Sequence, residues 1–108
     1  MMSKSSITID KRPGLSPVHP GEILADELVE LGLSSNKLAS ALNVPANRIS
    51  EIVAGKRAVT ADTALRLGQY FGTGPLVWLN LQTNYDLAVA QAESGKTIEK
   101  TVKQRNAA

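Results

Sequence analysis

The chain has 108 residues, with 12 Lys and Arg against 10 Asp and Glu, which is enough for one small domain with a modest core and tails. It contains no cysteine, so disulfides and thiolate metal sites are excluded, and no apolar run is long enough to span a bilayer. The N-terminal stretch MMSKSSITID lacks the hydrophobic middle of a signal peptide, so a cytoplasmic protein without membrane contact is expected.

Residues 1–18 carry Ser, Lys, Pro and Gly with little periodicity and read as a flexible arm, in which Ile7-Thr8-Ile9 is a weak strand signal. A first helix should begin at Pro20, whose fixed φ and missing N–H suit a first turn, with Glu22 and Asp26 in its N-terminal half. Ile23, Leu24, Leu28 and Leu31 form its apolar stripe and Gly32 ends it. A second helix is expected from about Ser35 to Leu42, capped by Ser34 or Ser35. Asn43 then occupies a turn position that asks for a left-handed residue.

Pro45 opens a third helix and Gly55 closes it. Leu38, Ala39 and Leu42 share one helical face, Ile49, Ile52 and Val53 form a second stripe, and Val44 plugs the angle between them. Ala46, Asn47, Arg48, Ser50 and Glu51 stay outside, with Lys56 and Arg57 just beyond. Two short helices set this way form a helix-turn-helix that presents its second helix to the DNA major groove.

Thr60 is the expected N-cap of a fourth helix, with Asp62 in its first turn and Ala64, Leu65, Leu67, Gly68 and Phe71 on its inner face. Gly72 and Gly74 stop it, and Pro75 starts a fifth helix through about Ala92. That last helix is apolar on more than one side: Trp78, Leu81, Tyr85 and Ala88 make one stripe, and Leu76, Leu79, Leu87 and Ala90 reach round to others. In so small a domain, a helix needing burial nearly all round reads as a dimer contact. The polar tail after Ser94 is expected to fray.

Charge is distributed unevenly. Glu22, Asp26, Glu27 and Glu30 are the charges between Pro20 and Ser34, all acidic, whereas Lys37, Arg48, Lys56 and Arg57 face a single Glu51 from Ser35 to Arg57. An acidic side and a basic side suit docking on a duplex. In the tail, Lys96, Lys100, Lys103 and Arg105 against Glu99 are read as ordinary solvated charge.

The blocks His19-Pro20-Gly21-Glu22-Ile23-Leu24, Leu38-Ala39, Asn47-Arg48-Ile49-Ser50, Gly55-Lys56-Arg57, Ala64-Leu65-Arg66-Leu67, Trp78-Leu79-Asn80-Leu81-Gln82 and Tyr85-Asp86-Leu87 occur in that order. On these residues the chain resembles the HigA/VapI-type antitoxins, a branch of the phage-repressor-like (Xre) helix-turn-helix family, over roughly residues 19–92. The resemblance implies an all-α fold: a five-helix lambda-repressor-like domain over residues 19–93, between an arm (1–18) and a polar basic tail (94–108). It further implies a dimer that binds a palindromic operator in double-stranded DNA, represses its own promoter and neutralises a HigB/RelE-like ribonuclease toxin. Two departures stand out: Ser35 replaces a Gln common in the family, and Asn43 replaces the usual Gly of the turn.

Within that reading, Ala46, Asn47, Arg48, Ser50 and Glu51 are the expected base contacts. Asn bonds an adenine edge and Arg a guanine edge, a small Ala meets a thymine methyl, and Glu51 either accepts from cytosine or orients Arg48. Ser35, Asn36, Lys37, Lys56, Arg57 and Thr60 are the expected phosphate contacts, which set register without reading sequence. Trp78, Leu81, Tyr85, Leu87 and Ala88 are assigned to the dimer interface, with a core role for Trp78 and Tyr85 as the alternative. Arg66 reads as structural, paired with Asp86 or a carboxylate of the first helix. His19, the single histidine, suits an N-cap or packing role rather than a metal.

There is no phosphate-binding glycine loop, no catalytic carboxylate pair and no nucleophile elbow, so no enzyme activity and no cofactor are expected. Toxin docking falls to the N-terminal arm or the acidic side of the first helix. A stand-alone regulator without a toxin, or an interaction module that has lost DNA binding, are the rival readings.

Overall fold

The computed structural model describes residues 17–106, in which five helices run in chain order: α1 (Pro20–Leu31), α2 (Ser35–Leu42), α3 (Ala46–Val53), α4 (Ala61–Phe71) and α5 (Leu76–Thr101). Most of the N-terminal arm, including Ile7-Thr8-Ile9, lies outside the described residues.

Each helix boundary has a local cause. His19 is the N-cap of α1: its Nδ1 accepts the Gly21 N–H at 2.8 Å, while the Glu22 carboxylate accepts the His19 N–H at 3.3 Å. This reciprocal box satisfies donors that a helix start leaves open. Ser34, rather than Ser35, caps α2 through its Oγ, and Thr60 caps α4. Between α2 and α3, Asn43 takes φ 62°, the one positive φ of a non-glycine among the described residues. Asn reaches this left-handed state more readily than other side chains, so the departure from Gly costs the turn little.

A buried apolar cluster joins all five helices: Leu24 and Leu28 from α1, Leu38 and Leu42 from α2, Ile49 and Ile52 from α3, Ala64 and Leu67 from α4, Trp78 and Leu81 from α5. Val59, in the loop before α4, completes it, and its N–H donates to the buried Gln82 Oε1 at 2.8 Å. Gly21 explains how α1 sits on α3. A Cβ there would lie 1.8 Å from the Ile52 carbonyl oxygen, so only glycine permits this approach. Gly68 does the same where α4 meets the backbone of Gly74.

Three expectations about burial and length need correction. Leu31, expected on the inner stripe of α1, is 53% exposed because that helix overshoots the core in its last turn, and Glu27 is buried instead. Leu65 is 61% exposed, since Thr63, Ala64, Leu67 and Gly68 take the inner face of α4 and leave Leu65 pointing outward. The fifth helix does not end near Ala92 but runs on through Ser94 and Gly95 to Thr101. Propagating a formed helix adds a hydrogen bond for each residue fixed, so a polar segment with one glycine does not by itself stop it.

Trp78 and Leu81 also part from their assignment to the dimer interface. Both are buried within the single chain, Trp78 with its ring 5.7 Å from that of Phe71. They hold α5 to the domain and have no surface left for a partner. Tyr85 is half-buried, with its ring edge-on to His19 at 4.9 Å, while Leu87 is exposed and Ala88 half-buried.

Candidate nucleic-acid interface

The third helix is seated by its inner residues Ile49 and Ile52, both fully buried, which turns its other face outward. Ala46, Asn47 and Ser50 are exposed on that face, and Arg48 and Glu51 are half-buried at its margins. The Ser50 hydroxyl lies 3.4 Å from the Asn47 carbonyl oxygen, a contact within the helix, whereas the Asn47 side chain is exposed on the outer face. Small and amide side chains in the first turns of an exposed helix can approach base edges closely.

Two ion pairs flank this face. Arg48 donates from one terminal nitrogen to Asp62 Oδ2 at 2.6 Å, and the same oxygen accepts from Arg66 Nε at 2.9 Å. Hydrogen bonds from Arg66 and Arg48 hold the Asp62 carboxyl below the usual carboxylate range. On the other side, Arg57 pairs with Glu51 at 2.6 Å. Glu51 therefore orients Arg57 and not Arg48, because Arg57 in the loop after α3 folds back along the helix. Arg66 pairs with neither Asp86 nor a carboxylate of α1. Its terminal nitrogen instead donates to the carbonyls of Leu42 at 2.9 Å and Asn43 at 3.3 Å, which fastens α4 to the turn of the helix-turn-helix. Asp86 instead accepts from Gln82 at 2.9 Å.

Of the expected phosphate contacts, Asn36, Lys37, Lys56 and Arg57 are exposed around α2 and the loop after α3. Ser35 is half-buried at the first position of α2, and the Thr60 hydroxyl is already engaged in capping α4. The sequence reading missed Asp62 as part of the site. Its spacing to Arg66, four residues on, is visible in the chain, but its contact with Arg48 exists only because the tertiary fold brings the start of α4 beside α3. Among the described residues no group of three or more His, Asp or Glu could hold a metal ion, and no helix is long and apolar enough to cross a membrane.

The α2–turn–α3 arrangement, with α4 strapped to its turn, defines a helix-turn-helix domain. Comparison with known proteins agrees: a helix-turn-helix family matches residues 24–79. Virulence-associated protein I of Dichelobacter nodosus is 53% identical over 77 residues, spanning 70% of this chain and 71% of that protein. A HigA-family addiction module antidote from Coxiella burnetii superposes with a TM-score of 0.82 at 54% identity, over 83% of this chain and 99% of that one. Antitoxin HigA of Pseudomonas aeruginosa, solved with the higBA promoter, gives 0.80 at 47% identity, again over 83% and 99%. The chain belongs to the Xre-type helix-turn-helix family, in its HigA-type branch.

Proposed function

We propose that this chain is the antitoxin of a toxin–antitoxin pair, which represses its own promoter and neutralises a HigB/RelE-like ribonuclease. The observation that carries the DNA-binding half is the outward face of α3, with Asn47 and Ser50 exposed at its centre and Lys37, Lys56 and Arg57 around it. Cations beside a groove-sized helix neutralise phosphates, while Asn47 and Arg48 supply the donors that read adenine and guanine. The similarity to an antitoxin solved on promoter DNA supports the same role for α3 here.

The proposed active form is a dimer. Two copies would set their α3 helices one duplex turn apart, roughly 34 Å, on a palindrome. With Trp78 and Leu81 committed to the core, the outer stripe of α5 is the contact we assign. Leu76, Leu87 and Ile98 are all exposed there. Their common spacing of eleven residues returns to nearly the same face after three helical turns.

Two measurements test the function. Fluorescence anisotropy with the duplex upstream of the chain's own gene should show saturable binding that Asn47→Ala weakens by about 1–3 kcal/mol, with little effect on a shuffled duplex. Lys56→Ala should weaken both duplexes alike and flatten the salt dependence by about one unit of slope. Equal loss on both duplexes for Asn47→Ala would remove α3 from base reading. Co-expression with the neighbouring gene product should give a stable complex and relieve its growth inhibition. Promoter binding without such a complex would leave a stand-alone regulator.

A further inference from the structure

We infer that Asp62, which lies on α4 and outside the reading helix, determines the DNA specificity of α3 by holding the Arg48 guanidinium in a fixed orientation. This inference rests on the DNA-binding reading above and names a positioning residue within it.

The geometry is a relay of three side chains. The carbonyls of Leu42 and Asn43 hold Arg66, Arg66 holds Asp62, and Asp62 Oδ2 holds Arg48 at 2.6 Å. One end of the relay is backbone of the turn and the other is a side chain of the recognition helix. Arg48 is thus tied to the frame of the domain rather than left to sample rotamers in solvent.

Stability alone gives a poor account of this arrangement. The Asp62 side chain is 55% exposed, and exposed ion pairs add little to folding. Meanwhile a carboxylate next to a DNA-facing helix repels the phosphate backbone and neutralises a cation that would otherwise attract it. A carboxylate in the first turn of α4 also favours that helix's N-terminus, but that role does not require a bond to Arg48. Discrimination supplies the reason. A guanidinium carries five N–H donors in a rigid fork, so a carboxylate on one terminal nitrogen of the partly exposed Arg48 leaves others available to donate. Fixed in that pose, Arg48 meets the N7 and O6 of a guanine without losing Asp62. To meet a phosphate on unrelated DNA it must swing away from Asp62 and bring a carboxylate close to the backbone. Asp62 therefore penalises non-specific binding more than specific binding.

The test is fluorescence anisotropy on the full chain, with the duplex upstream of its own gene and a shuffled duplex of the same composition, across a salt series. Asp62→Asn is expected to tighten binding to the shuffled duplex, steepen its salt slope by about one, and lower the ratio of specific to non-specific affinity about tenfold. In an Arg48→Ala background the same substitution should leave the ratio unchanged, since the coupling acts through Arg48. Asp62→Asn moving both affinities by one factor with an unchanged slope, or adding independently to Arg48→Ala, would overturn the inference. So would a parallel loss on both duplexes that tracks a lowered melting temperature, which marks a structural clasp. If the wild-type chain binds both duplexes equally, the DNA-binding reading itself fails; if it discriminates and Asp62→Asn discriminates by the same ratio, only the role of Asp62 fails.

Discussion

His19 shows how much one side chain can determine. It caps α1 through Nδ1, packs its ring on Tyr85, and feels the charges of the Glu22 and Asp86 carboxylates. Burial lowers its pKa below the ordinary 6.5, against the opposing pull of Glu22 and then Asp86. An Nδ1 that accepts the Gly21 N–H must be unprotonated, so a second proton on the ring would abolish the cap. The sign follows. Between the folded and ordinary pKa values the unfolded chain binds more protons, so stability rises with pH in that window. The contribution is complete above the ordinary value and is lost as pH falls through the folded one. Melting curves by circular dichroism from pH 5 to 7 should therefore rise for the wild type and rise less for His19→Asn, which keeps a capping side chain. Equal slopes in the two proteins would take His19 out of the pH response. The N-cap itself was legible from His19-Pro20 and the acidic turn that follows. The contact with Tyr85 was not, because it joins positions far apart in the chain.

At the scale of elements, α5 is held by its first turns. Trp78 is fully buried against Phe71 of α4, and its indole N–H has no hydrogen-bond partner among the described residues. An unpaired buried donor costs about 1–3 kcal/mol, which offsets part of what the ring contributes by burial. Trp78→Phe removes that donor and some volume together, so urea denaturation should show a loss well below that of Trp78→Ala. The alanine variant should lose about 3–5 kcal/mol, a large share of what a domain this size has. Equal losses would mean that the indole N–H is satisfied in solution. The helical pattern of residues 76–92 was readable from spacing. Which apolar stripe faces the domain was not, because a helix apolar on several sides gives no preference until neighbours are placed.

For the whole molecule, Leu76, Leu87 and Ile98 leave an apolar stripe exposed along α5. In the proposed dimer, Leu87→Lys puts a charge into the contact while leaving the monomer core untouched, since Leu87 is 56% exposed. Sedimentation should then shift toward the monomer, and promoter affinity should fall because each half-site must be bound separately. An unchanged sedimentation coefficient would move the dimer contact elsewhere on the chain.

Much of this protein is written locally. Pro20, Gly32, Ser34, Asn43, Thr60 and Gly72 mark the helix boundaries through φ preferences and capping chemistry that act within a few residues. The period of Leu38, Leu42, Ile49 and Ile52 determines the helix-turn-helix and the outward face of α3. Tertiary structure decided what depends on distance in space rather than along the chain. It chose Asp62 as the partner of both Arg48 and Arg66, drew Glu51 to Arg57, and sank Trp78 and Leu81 into the core. It also required glycine at position 21, where two helices meet more closely than a Cβ allows. Ion-pair partners and packing faces are choices among several sterically possible neighbours, and only the assembled helices make that choice.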